Sequence, residues 1–369
     1  MNNHLSNERY ARQLSLQHFG QAGQQQLLKA KVLVIGAGGL GCPILQYLAA
    51  AGVGTIGIVD DDTVSLSNLH RQILYSTSDI GFSKAEKAAG YLRKLNPDIN
   101  IIAINERLTT KNAWEIIAAY DTIMDGTDNF SSRYMINDVC VLLNRPLIYG
   151  AVSKWEGQLA IFSDGVNYRD LFPVPPKENE VPNCADAGVL GVLPGIIGLM
   201  MAAEAIKLIT GTGAPFTNRL LLYQLLNSQF HEMELQPDFN SRLSIPADRA
   251  AFEKMDYVAV CTSAIREIEI DQYSFDQLLE KDVIEVIDVR EPGELPLITE
   301  FRSRNIPLGV LAANAATIQP GIVVMICASG VRSLRAAEQL AATSVNLKKV
   351  YSLKGGILEW KEAHSKQFQ

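Results

Sequence analysis

Between Lys31 and Asp60 the chain reads KVLVIGAGGLGCPILQYLAAAGVGTIGIVD, and this stretch limits the possible folds sharply. VLVIG is an unbroken apolar run, the mark of a strand buried on both faces. CPILQYLAAAG has helical spacing and stops at a glycine, and TIGIVD is a second apolar run. The chain therefore goes strand, glycine turn, helix, strand. In the turn, Gly36, Gly38, Gly39 and Gly41 let the backbone approach a phosphate, while the helix N-terminus offers free N–H groups and a favourable dipole. Asp60 closes the second run, where a carboxylate bonds ribose hydroxyls. Taken alone, the fingerprint fits a nicotinamide-dependent (NAD) oxidoreductase.

Further apolar runs at NIIAIN, DTIMDGTDN and PLIYGAV alternate with helical patterns, which predicts an α/β domain with a mainly parallel, Rossmann-like sheet and helices on both faces. GQLAIFS and RLLLYQLL read as later strands around an apolar helix. That helix, expected over 195–211, overlaps the uncharged stretch Ala187–Ala203. With Pro194 and four glycines in that stretch, and Glu204 and Lys207 just behind, it is expected to be a buried helix and not a membrane span. The texture becomes mixed after residue 235. The expected division is a first domain over 1–235, a linker over 236–266 and a small α/β domain over 267–369. With 369 residues, 47% hydrophobic and 20% charged, the chain has enough apolar material for two cores. A net charge of −7 argues against nucleic-acid binding. The five scattered cysteines include no C-x-x-C pair, which suits a reducing, cytoplasmic setting, and the polar N-terminus lacks a signal-peptide core.

The residues after the second strand are not those of a dehydrogenase. DDDTVSLSNLHRQ gathers Asp60, Asp62, Asn68, Arg71 and Gln72, and GFSKAEKA puts Lys84 at a helix start with Ser83 as its cap. DGTDN sets Asp125, Asp128 and Asn129 at the end of another strand, where ligands of open α/β sheets bind. Arginine and lysine beside a glycine loop suit a triphosphate, and an aspartate suits Mg²⁺.

RYARQL, VLVIGAGGLG, VDDDTVSLSNLHRQ, KAEKA, DGTDN, EGQLAIF and NCADAGVLGVLPGIIG follow one another in this order. Over residues 5–235 the chain resembles the MoeB/ThiF adenylyltransferases, relatives of the ubiquitin-activating enzymes. The resemblance implies binding of ATP and Mg²⁺, and adenylation of the C-terminal glycine of a ubiquitin-like sulfur carrier ending in Gly-Gly. By position it puts the four glycines at the phosphates, Asp60 at the ribose, and Asn68, Arg71 and Lys84 facing the phosphates. Asp128 would hold the metal or orient the α-phosphate. Arg12 matches an arginine that reaches a partner subunit's site, which implies a homodimer. Cys184, in VPNCADAG, matches a cysteine that is catalytic in some members. A cysteine near a helix start gains thiolate character, although a small buried thiol is equally common.

One family feature is missing. Two C-x-x-C pairs usually bind a structural zinc, but Asn167 and Asp170 stand at the first and PDFNSR has no cysteine at the second. These residues cannot make a thiolate tetrahedron, so no zinc is expected.

Near the end, CASGVRS places Cys327 and Arg332 in a loop between the strand GIVVMI and a helix. Loop N–H groups and a helix dipole aimed at one sulfur favour an anion there. With VIDVREPGE (Asp288, Arg290, Glu291) and LKGGILEW (Gly355, Gly356, Trp360), residues 267–366 resemble rhodanese domains, which carry sulfane sulfur as a persulfide on the loop cysteine. Ala328 departs from the arginine many of them have next to that cysteine. Together the two resemblances imply adenylation of the carrier followed by sulfur transfer from a Cys327 persulfide to give a thiocarboxylate, in molybdopterin or thiamine biosynthesis. The donor would be a cysteine desulfurase or thiosulfate. The alternative is a non-catalytic carrier-binding scaffold with an inert tail.

Overall fold

The computed structural model describes residues 8–173, 175, 188–257, 269–280, 284–319, 321–343 and 349–366. The chain divides into two compact units, residues 1–264 and 265–369.

In the first unit, strands β1 (Lys31–Ile35), β2 (Thr55–Val59), β3 (Asn100–Ile104), β4 (Thr122–Asp125), β5 (Leu147–Ser153), β6 (Glu156–Phe162), β7 (Arg219–Gln224) and β8 (Gln229–Glu234) form one sheet in the order 3-2-1-4-5-6-7-8. The first five pair in parallel and the last three antiparallel. Along β1 the side chains alternate between two cores. Val32 and Val34 face the cluster built by helix α1 (Gly41–Ala51) and its neighbours, while Leu33 and Ile35 face the cluster under helix α3 (Phe130–Leu142). Helix α2 (Lys84–Leu95) joins the first layer, and Ser83 caps it by accepting from the N–H of Glu86. Order reverses between β1 and β4, so a crevice opens beyond the carboxyl ends of those two strands.

The apolar helix α5 (Val192–Thr210) is long and apolar enough to cross a membrane; one of its faces packs into the core, while Val192 and Leu199 are exposed. Leu193, Ile197, Met201 and Ala205 are wholly buried in the first cluster. The sheet is cut to receive it: a Cβ at Gly150 would meet Met201 Sδ at 2.2 Å, and one at Gly157 would meet Ile197 at 2.4 Å.

The stretch expected as a linker belongs to the first unit as far as it is described. Helices α6 (Phe239–Arg242) and α7 (Arg249–Glu253) follow β8, Phe252 is wholly buried in the second cluster, and the Tyr257 hydroxyl donates to Asp138 Oδ2 at 2.7 Å. Single aromatic anchors hold a polar stretch here, so no periodic pattern advertises it. Residues 258–266 lie outside the described residues.

In the second unit, β9 (Glu269–Ile270), β10 (Ile284–Asp288), β11 (Arg304–Asn305), β12 (Ile322–Ile326) and β13 (Lys349–Leu353) make a parallel sheet in the order 11-10-12-13-9. Helices α8 (Gln272–Glu280), α9 (Val331–Thr343) and α10 (Gly356–Lys366) accompany it, and its two faces carry separate cores.

Candidate active site

The glycine turn is dictated by contact first. Gly36 has φ 91° and a Cβ there would lie 2.9 Å from the Gly126 carbonyl; at Gly41 it would lie 2.0 Å from the Gly36 carbonyl. Strand, helix start and the loop after β4 therefore touch backbone to backbone. Gly41 serves this packing and is not among the residues lining the cleft, whereas Gly36, Gly38 and Gly39 line it. A cleft of about 460 Å³ opens at the reversal of strand order, within the range of roughly 300–1,000 Å³ usual for ligand sites.

Asp60, Asp62, Asn68, Arg71, Gln72, Lys84, Asp128 and Asn129 all line it. Asp60 Oδ2 accepts from the Ala37 N–H at 2.7 Å and Oδ1 from the Asp62 N–H at 2.9 Å, which ties the end of β2 to the glycine turn. Burial raises its carboxyl above the ordinary value against those hydrogen bonds. Lys84 is buried, a costly state for an ammonium, and is paired with Asp62. Burial pushes the Asp62 carboxyl up, but the Lys84 ammonium and the Thr63 N–H hold it below the ordinary value. Asn68 Oδ1 accepts from Arg71 Nη2 and Gln72 Nε2, both at 3.0 Å, so one amide orients both. Asn129 caps α3 through its side chain, accepting from the Ser132 N–H at 2.9 Å. Exposed Asp128 sits between that cap and Thr127. Arg12, on the short helix Ala11–Leu14, is exposed and is not among the residues lining this cleft. Cys184 lies outside the described residues.

Sequence reading did not single out Arg107, Thr127 or Arg133, which also line the cleft. Arg107 follows β3 and Thr127 follows β4, so the rule that ligands gather beyond strand carboxyl ends would have found both. The cleft thus mixes Asp60, Asp61, Asp62, Glu106 and Asp128 with Arg71, Lys84, Arg107 and Arg133. Cations suited to phosphates and oxygens suited to a hard metal ion lie in one opening.

The stretches lacking zinc cysteines are joined by hydrogen bonds. Asp170 Oδ2 accepts from the backbone and side-chain nitrogens of Asn167, each at 2.8 Å. Asp170 Oδ1 accepts from the Asp238 N–H at 2.9 Å and from the Ser241 hydroxyl. Helix α4 (Tyr168–Leu171) is thereby pinned to α6, and Arg169 makes a buried two-point contact with Asp138 at 2.8 and 2.7 Å. The lone pairs of Asp170 are directed at protein donors, and no group of three or more His, Cys, Asp or Glu among the described residues is placed to hold a metal. The residues do not fit zinc.

In the second unit Cys327 directly follows β12 and has no exposure. Its carbonyl accepts from the Ile357 N–H at 2.8 Å and that of Ala328 from Leu358 at 3.1 Å. A Cβ at Gly356 (φ 63°) would lie 2.5 Å from both carbonyls, so the KGG turn is the seat of the cysteine loop. The Ser333 hydroxyl lies 3.4 Å from Cys327 Sγ and accepts from Ser352 at 2.9 Å. Arg332, expected to face an anion, is in a two-point ion pair with Glu294. Asp288 and Arg290 pair with each other, and Asn305 Nδ2 bonds both their carbonyls at 2.9 and 2.8 Å. Glu291 is exposed, its N–H donating to Glu294 at 3.4 Å, and Trp360 is a buried anchor.

The ThiF family model matches residues 10–244 and the rhodanese-like domain model residues 271–363. The sulfur carrier protein adenylyltransferase of Thermus thermophilus is 47% identical over 262 residues, 69% of this chain and 96% of that protein. The probable adenylyltransferase/sulfurtransferase MoeZ of Mycobacterium tuberculosis is 39% identical over 370 residues, covering 95% of this chain and 92% of its own. The adenylyltransferase and sulfurtransferase MOCS3 of Arabidopsis thaliana is 38% identical over 386 residues, 95% of this chain and 82% of that protein. Among solved structures, E. coli MccB with ATP has a TM-score of 0.54 at 20% identity, covering 61% of this chain and 74% of that one, a likeness of fold.

Proposed function

The chain belongs to the ThiF family, with a rhodanese-like domain behind it, and from that premise we propose an ATP-dependent adenylyltransferase and sulfurtransferase acting on a ubiquitin-like sulfur carrier that ends in Gly-Gly. The observation that carries the reading is the mixed-charge cleft where strand order reverses. A carboxylate is a poor acyl donor. Its oxygen attacks the α-phosphorus of ATP, pyrophosphate leaves, and a reactive acyl-adenylate remains. The protein's task is to align two anions and stabilise charge on the leaving group. Arg71 and Lys84 supply the cations, Asn68 and Asp62 aim them, and Asp60 offers an acceptor to the ribose. Asp128 is an exposed carboxylate suited to Mg²⁺, which offsets phosphate charge when bound.

The second half takes sulfur on Cys327. Its thiolate attacks the sulfane sulfur of a donor, either a protein persulfide or thiosulfate, and releases a thiolate or sulfite. The terminal persulfide sulfur then attacks the acyl carbon and AMP leaves, giving an acyl disulfide. A second thiol, for which Cys184 is the candidate, attacks the Cys327 sulfur and frees the thiocarboxylate, leaving a disulfide for a cellular dithiol to reduce. Molybdopterin or thiamine formation uses such a product. The reading includes a homodimer in which Arg12 serves the other copy, a cytoplasmic location, and a fold held without zinc. Exposed Arg12 outside its own cleft, unpaired Cys42, Cys140 and Cys327, and the Asp170 hydrogen bonds support these in turn. The test is carrier-dependent ATP–pyrophosphate exchange; exchange indifferent to the carrier would sink the reading.

A further inference from the structure

Thr127 stands directly before Asp128 and has all three of its polar groups held from behind. Its N–H donates to Asp125 Oδ1 at 2.9 Å and its hydroxyl to the same oxygen at 2.7 Å. Its carbonyl accepts from Arg133 Nη2 at 3.1 Å. Asp125 and Arg133 are both buried, and the guanidinium lies 5.4 Å over the Phe130 ring and 5.5 Å over the Tyr149 ring. On the other side of Asp128, Asn129 is fixed as the cap of α3. Asp128 is thus free at its side chain and held at both shoulders of its backbone. Gly126, one residue before Thr127, donates its N–H to the Ile35 carbonyl at 2.9 Å, so the loop shares the footing of the glycine turn.

Asp125 Oδ2 and Arg133 Nε are buried and have no hydrogen-bond partner, whereas a pair placed to stabilise a core satisfies such atoms. Both residues do bond Thr127. We infer that Thr127, gripped by Asp125 and Arg133, is a positioning residue that sets the place of the Asp128 carboxylate toward the metal–nucleotide. The inference rests on the adenylation reading and adds to it the device that aims one of its groups.

Thr127→Val keeps the β-branched shape and the backbone bonds and removes only the hydroxyl, so it is the primary variant; Arg133→Lys is the second, and Asp128→Ala the reference. Pyrophosphate exchange is measured on the full chain against ATP and against Mg²⁺, with thermal unfolding of each variant. In Thr127→Val, kcat is expected to fall about tenfold, for loss of a hydrogen bond to a charged group, with KM for ATP within about twofold and the half-saturating Mg²⁺ concentration raised several-fold. Arg133→Lys keeps a donor and charge and should retain more activity than Arg133→Met. Unchanged kcat and Mg²⁺ dependence in Thr127→Val overturn the inference, as does a loss matched by lower melting temperature. Full activity in Asp128→Ala would instead bring down the reading beneath it.

Discussion

Asp170 Oδ1 and the backbone N–H of Asp238 lie 2.9 Å apart, across 68 residues of chain. The two stretches they join are those where the family resemblance implied zinc thiolates, and here a carboxylate takes the central position. Asp170→Ala removes the acceptor from four donors and should destabilise the first unit by about 2 kcal/mol, in the range for hydrogen bonds to a charged group at a half-buried site. A chelator should leave the unfolding midpoint of the native chain where it was. Thermal unfolding with and without chelator checks both; a chelator-induced fall would restore a structural metal.

The two units divide the chemistry, so their variants should separate it. Asp128→Ala should lower carrier-dependent pyrophosphate exchange by at least about 100-fold, as losses of groups facing transition-state charge do. Cys327→Ala should leave exchange intact and abolish thiocarboxylate formation. Mass spectrometry of the carrier, run beside the exchange assay, distinguishes the two effects.

The Glu294 carboxylate occupies the guanidinium of Arg332, the cation nearest in sequence to the cysteine loop. Both side chains are partly exposed, so their pairing is a weak restraint. Glu294→Gln should therefore raise turnover of a doubly charged donor such as thiosulfate only about two- to fivefold. Thiocyanate release from thiosulfate and cyanide measures it, with Cys327→Ala as the blank.

The Asp62 carboxyl titrates below its ordinary value of 3.8 because Lys84 and the Thr63 N–H outweigh burial. For a depressed carboxyl, the stability it contributes is complete above the unfolded value and is lost as pH falls through the folded value. The Asp62–Lys84 pair should accordingly persist across the neutral range and break only below pH 3.8. Lys84→Met should move the Asp62 titration upward, read by carboxyl NMR against pH; an unmoved titration would mean the pair does not form in solution.

Much of this arrangement could be read before any coordinates. The parallel strands of the first unit declared themselves because each is an apolar run closed by glycine or a polar residue, whereas β9 and β11, two residues each, gave no such signal. Strand β8 did not, because all six residues are exposed at the sheet edge and no burial pattern marks it. Residues 236–257 read as linker because Phe252 and Tyr257 anchor them singly. Within the cleft, Asp60, Asn68, Arg71, Lys84 and Asp128 were legible as charge beside a glycine turn. Thr127 was not: a threonine between two aspartates looks like part of a turn until its three partners are known. Glu294 and Ser352 stayed hidden for a related reason, since they reach Arg332 and Ser333 of the cysteine loop from distant points in the sequence.

Cys327 has no surface open to water, and its loop rests on a turn where no side chain fits at Gly356. On the proposed reading, sulfur carried by Cys327 would be screened there from stray oxidants and small thiols, and the loop would have to lift from its seat for each loading and each delivery.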